Sequence, residues 1–155
     1  MKPFRLLHTS DWHLGRPLYG RRRYAEYGKF LDWLLETIVR EEVDALLLAG
    51  DVFDISAPSP AAQALYYDFL ARAASGTKCG QVVVIAGNHD SPALLNAPGG
   101  LLKALNIHVV GTVSDDGEAE IIRLHDEGGR LRLIVGAVPY PRDRDLRESA
   151  AGESP

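Results

Sequence analysis

Three short clusters carry the residue types that could do chemistry: Asp11-Trp12-His13, Gly50-Asp51-Val52-Phe53-Asp54 and Gly87-Asn88-His89-Asp90. Carboxylates, imidazoles and an amide oxygen are oxygen and nitrogen donors. With no sulfur among them, they favour Mn, Fe or Mg over a thiolate zinc site. Asp11 and His13, two apart, can both address one ion where the chain bends out of a strand. A carboxylate such as Asp51 can bridge two ions, and two metals about 3.5–4 Å apart are the usual device for cleaving phosphate esters. Singly the clusters say little, because Asp-x-His and Asn-His-Asp occur in ordinary turns and Gly-Asp often only closes a strand. The signal is their order, each placed directly after an apolar strand run.

The elements that must position them alternate along the chain. Arg5–Thr9 is a short apolar, β-compatible run that stops at Ser10-Asp11. A helical pattern follows over Tyr24–Arg40, with Tyr27, Phe30, Leu31, Leu34, Leu35 and Ile38 on one face and Glu26, Lys29, Asp32 and Glu36 off it. Trp33, within this helix, is read as core. Ala45–Ala49 is a buried-strand run ending at Gly50-Asp51. Ser59 offers an N-cap for a helix through Ala74, with Gly76 closing it. Gln81–Ala86 is the third buried strand, and a short helix around Leu101–Leu105 leads to His108–Val110. Ile121–Leu124 and Leu131–Val135 are joined by Asp126-Glu127-Gly128-Gly129, a hairpin signal. The β-α-β-α-β start implies parallel strands with right-handed crossovers, so the three clusters should converge on one sheet edge. The expected class is a layered α/β sandwich, mostly parallel at first and then antiparallel.

Composition narrows the classes further. At 155 residues, 46% hydrophobic and 25% charged, the chain has the profile of one globular domain. A single cysteine, Cys79, excludes a disulfide framework and a cysteine-rich zinc module; nothing nearby would activate its thiol. No apolar run approaches a membrane span and no signal-peptide pattern opens the chain, so cytoplasm is the default compartment and no membrane partner is expected. A net charge of -4 argues against gripping nucleic acid by bulk positive charge, though not against a local basic patch beside an acidic site. Arg142 onward is polar and without apolar period. The expected organisation is 1–141 as the N-terminal part of a domain and 142–155 as a polar loop or frayed end.

With D-x-H, G-D-x-x-D and G-N-H-[DE] in order, the sequence resembles the calcineurin-like metallophosphoesterase superfamily. HTSDWHLGRPLYGRRR, DALLLAGDVFDISAPSPAAQALYYDFL and QVVVIAGNHDSPALL are similar, more closely, to the SbcD-type family of bacterial nucleases. The resemblance runs from about Leu6 to Pro141. It implies that Asp11 and His13 hold a first metal, that Asp51 bridges to a second, and that Asn88 ligates the second. His89 would stand beside the scissile phosphate as acid or charge stabiliser, oriented by the Asp54 carboxylate, while an activated water attacks phosphorus in line. The implied activity is a Mn²⁺-dependent DNA nuclease, with Mg²⁺ or Fe²⁺ as alternative ions. It would act from 3′ ends and on single strands and hairpins, in repair and recombination, with an SbcC-type ATPase and as a homodimer.

The departure from the family pattern matters as much. That pattern continues with a further histidine and a G-H-x-H cluster, which this sequence lacks. Of the remaining histidines, His8 reads as a buried, hydrogen-bonded strand residue, and His108 and His125 lie in strand runs away from the clusters. The chain is therefore expected to be the N-terminal piece of a longer nuclease. Ligand counting predicts weak occupancy of the first metal site, little of the second, and little or no nuclease activity.

Secondary features carry further expectations. Arg16 and Arg21, Arg22 and Arg23 could meet phosphates at the cleft mouth, or could be a solvated helix start. The helical stripes over Ala61–Ala74 and Leu94–Leu105 read first as core, although the resemblance makes Tyr66, Tyr67, Leu101 and Leu102 candidates for a dimer interface. Trp12, between two candidate ligands, is expected to pack beneath the site. Two competing functions remain open: another metallophosphoesterase (a phosphatase or cyclic-nucleotide phosphodiesterase), which the loop after His13 disfavours, and a non-catalytic dimerisation or docking module.

Overall fold

Apolar runs of four to six residues become strands here, and the amphipathic stretches between them become helices, because each has only one way to hide its apolar face. The structure is a computed structural model that describes residues 2–126 and 128–142. In chain order it contains β1 (Leu6–Thr9), α1 (Tyr24–Arg40), β2 (Ala45–Ala49), α2 (Pro60–Gly76), β3 (Gln81–Ile85), α3 (Pro92–Asn96), α4 (Gly99–Ala104), β4 (Ile107–Val110), β5 (Ile121–His125) and β6 (Leu131–Gly136).

Strands β1 to β4 form one parallel sheet in sequential order, with Leu6 opposite Ala45, Ala45 opposite Gln81, and Val82 opposite Ile107. Sequential order with crossovers of one hand puts the connecting helices on the same face. That face carries the main core: Leu46, Leu48, Val82 and Val84 meet Leu31, Leu34, Ile38, Tyr66, Phe69 and Leu70 from α1 and α2. The alternate residues Ala45, Val83, Leu47 and Ile85 point the other way and are covered by Ile122, Leu124, Leu133 and Val135 of the β5–β6 hairpin. Helices, parallel sheet and hairpin thus make three layers, the α/β sandwich expected.

Local chemistry sets the helix starts. Ser59 accepts a hydrogen bond from the Ala62 N–H at 3.2 Å, and Pro60 occupies the first helical position, where a missing N–H costs nothing. Ser91 and Pro92 repeat the device at α3, a helix not foreseen separately from α4. Cys79 is buried, and desolvation raises its thiol pKa to about 11, as an inert packing residue requires.

Several expectations need correction. Trp33 is 53% exposed, not core; it sits beside the stripe of α1 and stacks on Phe30 with ring centroids 6.1 Å apart. His8 is exposed, since β1 is an edge strand whose Leu6 and His8 lie on the face that the helices do not cover. Tyr66 is buried in the main core at 0% exposure, in line with the first reading of its stripe as core, which removes it as an interface candidate. Leu102, 5% exposed, packs in the same core and also lines the apolar groove beside Tyr67 and Leu101. Of the polar segment 142–155, residues 143–155 lie outside the described residues.

Candidate metal centre

The exits of β1 and β2 run side by side after their strands end. Asp11 N–H donates to the Gly50 carbonyl at 3.1 Å, His13 N–H to Asp51 at 2.9 Å and Leu14 N–H to Val52 at 2.9 Å. This extension of the ladder carries Asp11 and His13 alongside Asp51. Three of these residues are in the left-handed region, with φ of +57° at Asp11, +45° at His13 and +50° at Asp51. Non-glycine residues rarely stay there unless their surroundings hold them, and such positions cluster at functional sites.

The side chains converge accordingly. His13 Nε2 lies 3.9 Å from Asp11 Oδ1 and 3.8 Å from Asp51 Oδ2. Asp51 uses its other oxygen, Oδ1, to accept the His89 N–H at 3.0 Å, which fixes the carboxylate across to β3. One donor atom each from Asp11, His13 and Asp51 fall within 4.8 Å of one another, and so do those of a second group, His13, Asp54 and His89. Two carboxylates around one imidazole are a hard oxygen and nitrogen set that fits one divalent ion such as Mn²⁺, Mg²⁺ or Fe²⁺. Asn88 lines the same cleft, of about 260 Å³, with Asp11, Gly50, Asp51, Gly87 and Tyr140.

Two glycines make the approach of β2 and β3 possible. Gly50, at φ +83°, turns the chain sharply, and a Cβ there would meet Gly87 Cα at 3.0 Å. A Cβ on Gly87 would collide with the backbone nitrogen and carboxylate of Asp51. Beneath them sits Asp90, with no exposed surface. Its carboxylate accepts from Val52 N–H at 3.1 Å, Phe53 N–H at 2.9 Å and Gly87 N–H at 2.9 Å, and so ties the two loops that carry the candidate ligands. Burial pushes the Asp90 carboxyl above the usual carboxylate range, against the downward pull of those three donors. Trp12 packs below, edge-on to Phe69 and Phe30 and 5% exposed, as expected.

The arrangement around His89 differs from the one the resemblance implies. His89 Nδ1 is bonded to the backbone carbonyl of Asp54 at 2.7 Å, not to its carboxylate. A carbonyl only accepts, so Nδ1 carries the proton and Nε2 is left to the cleft chemistry. The Asp54 carboxylate instead faces His13 Nδ1 at 3.5 Å and Arg16 Nε at 3.9 Å. His13 Nδ1 is buried without a hydrogen bond. The His13 and His89 rings meet edge-to-face with centroids 5.0 Å apart.

Among the arginines, Arg16 reaches the site, Arg21 and Arg22 are exposed on the loop beyond it, and Arg23 is turned onto the Tyr27 ring, 5.6 Å from its centroid. Tyr67 and Leu101 line an apolar groove of about 670 Å³ with Leu94, Ala97, Pro98 and Leu105, remote from the ligands. His108 is half-buried, with its pKa lowered by desolvation, and His125 is exposed; neither belongs to a metal-holding group among the described residues.

Sequence reasoning missed three contributors. Asp90 was legible only as a motif letter, without its role. Tyr140 is placed in the cleft by its N–H bond to the Ala86 carbonyl at 2.8 Å, and Arg142 Nη2 donates to the Asp90 carbonyl at 2.5 Å. The available signal was Pro139-Tyr140-Pro141, an aromatic in an extended dipeptide frame directly after the last strand.

The family model for calcineurin-like phosphoesterases matches residues 4–145. The chain is 44% identical over 147 residues to the SbcD component of the SbcCD nuclease of Rhodobacter capsulatus, covering 92% of this chain and 36% of that protein. It is 44% identical over 148 residues to the SbcD component of the SbcCD nuclease of Escherichia coli K12, covering 96% of this chain and 36% of that protein. Against the corresponding SbcD protein of Bacillus subtilis it is 39% identical over 144 residues, 93% and 36% respectively. The chain therefore spans about a third of the length of the curated relatives it matches. No helix among the described residues is long and apolar enough to cross a membrane. A match from residue 4 to 145, over a parallel sheet whose strand ends gather Asp11, His13 and Asp51, places this chain in the calcineurin-like phosphoesterase family.

Proposed function

We propose that this chain is the ligand-bearing half-site of a metal-dependent DNA nuclease, cutting phosphodiester bonds in partnership with an SbcC-type ATPase. The observation that carries the reading is the convergence of Asp11, His13 and Asp51 donor atoms within 4.8 Å at two adjacent strand ends. Similarity to the SbcD components of SbcCD nucleases over more than nine-tenths of the chain supports DNA as the substrate class.

Asp11, His13 and Asp51 would hold the first ion, with Asp51 shared and Asn88 added for a second; Mn²⁺ is the preferred occupant. When bound, the metal pair supplies Lewis-acid charge at the phosphate and a nucleophile at neutral pH. The remaining steps belong to the chain. Asp51 is held by the His89 N–H, so its carboxylate keeps one orientation. His89, its Nδ1 proton anchored on the Asp54 carbonyl, presents Nε2 to the phosphate and, when protonated, donates to the leaving oxygen. Asp54 limits the freedom of His13 and Arg16. Arg16, Arg21 and Arg22 are the phosphate-binding side chains of the cleft mouth, with Arg23 buttressing the helix start. Tyr67 and Leu101 belong to a homodimer contact along the apolar groove.

Calorimetric titration of the chain with Mn²⁺ tests this, with Asp51→Ala as the control. One weakly bound ion, absent in the control, is expected. Two tightly bound ions would overturn the ligand assignment, and no binding at all would overturn the metal centre. Turnover of a small phosphodiester without turnover of an oligonucleotide, in a preparation that binds two ions, would redirect the substrate class.

A further inference from the structure

The loop between His13 and α1 ends in a feature that the metal site does not use. Leu18 and Arg21 exchange both backbone hydrogen bonds, at 3.0 and 2.9 Å, and enclose a two-residue turn. Both residues of that turn are left-handed, Tyr19 at φ +47° and Gly20 at φ +73°, as in a type I′ hairpin. Such a turn favours Asn, Asp or Gly at its first position; here that position holds a tyrosine, and the residue is 97% exposed. No packing among the described residues explains it. Its neighbour Leu18 is 51% exposed.

The electrostatic setting points to the ligand. Residues 14–23 contain Arg16, Arg21, Arg22 and Arg23 and no carboxylate, although the whole chain carries a net charge of -4. Arg16, at the base of the loop, lies 3.9 Å from Asp54 and so joins this basic strip to the candidate site. Tyr27 OH donates to the Arg16 carbonyl at 3.3 Å and fixes the base further. A flat, exposed aromatic between arginines is the arrangement that binds unpaired nucleic acid, with phosphates on the guanidinium groups and a base on the ring face.

We propose that Tyr19 is a stacking platform for an unpaired nucleobase, with Arg21 and Arg22 holding the flanking phosphates, so that this turn receives single-stranded or frayed DNA beside the cleft. The proposal rests on the nuclease reading above for its substrate class, and it extends that reading from where bonds break to how the strand is presented.

The test uses the chain with a single-stranded oligonucleotide carrying 2-aminopurine, in EDTA, so that neither metal loading nor cleavage contributes. Tyr19→Phe is expected to bind like the parent and to quench the fluorescent base equally. Tyr19→Asn keeps the left-handed turn and removes the ring; it is expected to lose the quenching and roughly tenfold in affinity, with the salt dependence unchanged. The double variant Arg21→Ala/Arg22→Ala should instead reduce the slope of log affinity against log salt by about 1.4, the value for two phosphate contacts on a single strand. Parent-like affinity and quenching in Tyr19→Asn would overturn the stacking role while leaving the nuclease reading standing. Failure of the parent chain to bind any oligonucleotide would overturn the turn as a nucleic-acid contact. Oligonucleotide binding that depends on Tyr19, in a chain that takes no Mn²⁺, would leave the proposal intact and remove the metal centre.

Discussion

The floor of the cleft and the turn at Tyr19 are linked through Arg16, 3.9 Å from Asp54, but are built in opposite ways. At the floor, Gly50 and Gly87 touch, Asp51 is anchored across strands by His89, and the buried Asp90 gathers three backbone N–H groups from two loops. At the turn, one reciprocal pair of hydrogen bonds holds Leu18 to Arg21, and Gly20 has nothing within 4 Å of where a Cβ would stand. Groups that must meet one ion need positions fixed to a fraction of an ångström, and close packing supplies them. Groups that meet a flexible polymer need reach and charge, and those come from an exposed loop rooted on a rigid base.

Substitutions at the two places sharpen that contrast. The largest effect is expected from Asp90→Ala, which leaves the buried N–H groups of Val52 and Phe53 and the half-buried one of Gly87 without a partner at about 1–3 kcal/mol each, offset by relief of a buried carboxylate. A loss of about 3–5 kcal/mol in urea unfolding is expected, together with loss of Mn²⁺ binding; an unchanged midpoint would remove Asp90 from the support of the site. Gly87→Ala comes next. Its methyl group would drive into Asp51, costing about 1–3 kcal/mol as overpacking does, and the displaced carboxylate should abolish the calorimetric Mn²⁺ signal. Gly20→Ala is the matched control in the loop. It meets no atom, and its cost is only the left-handed backbone, about 1 kcal/mol, with Mn²⁺ binding unchanged. Equal loss of metal binding in the two glycine variants would dissolve the distinction between floor and turn.

Much of this was readable from the residues alone, for reasons that differ by element. The ends of α1 at Tyr24 and Arg40 follow from local periodicity, and the start of α2 at Pro60 from its Ser59 cap, neither of which needs tertiary context. The strand runs Ala45–Ala49 and Val82–Ile85 are apolar throughout because helices cover one face and a hairpin the other. Trp33 and His8 were misjudged for one shared reason. Exposure depends on which element packs opposite, and a side chain at the border of an apolar stripe has no periodic signature for that. The use of the Asp54 carbonyl in place of its carboxylate was equally hidden, since a backbone group leaves no mark in the sequence.

Donor types and their order are written in the primary structure: Asp11 and His13 after one strand, Asp51 and Asp54 after the next, Asn88 and His89 after the third. Parallel strands joined by helices must bring those ends to one edge, so their convergence follows from connectivity. Which atoms face which depends on the assembled fold: the left-handed bends that turn Asp11, His13 and Asp51 inward, the N–H of His89 on Asp51, the clamp of Asp90, and the arrival of Tyr140 from the segment that follows β6. Those contacts are long-range and directional, and they exist only after the sheet has aligned backbones from segments up to 130 residues apart, as in the bond from Arg132 to the Lys2 carbonyl.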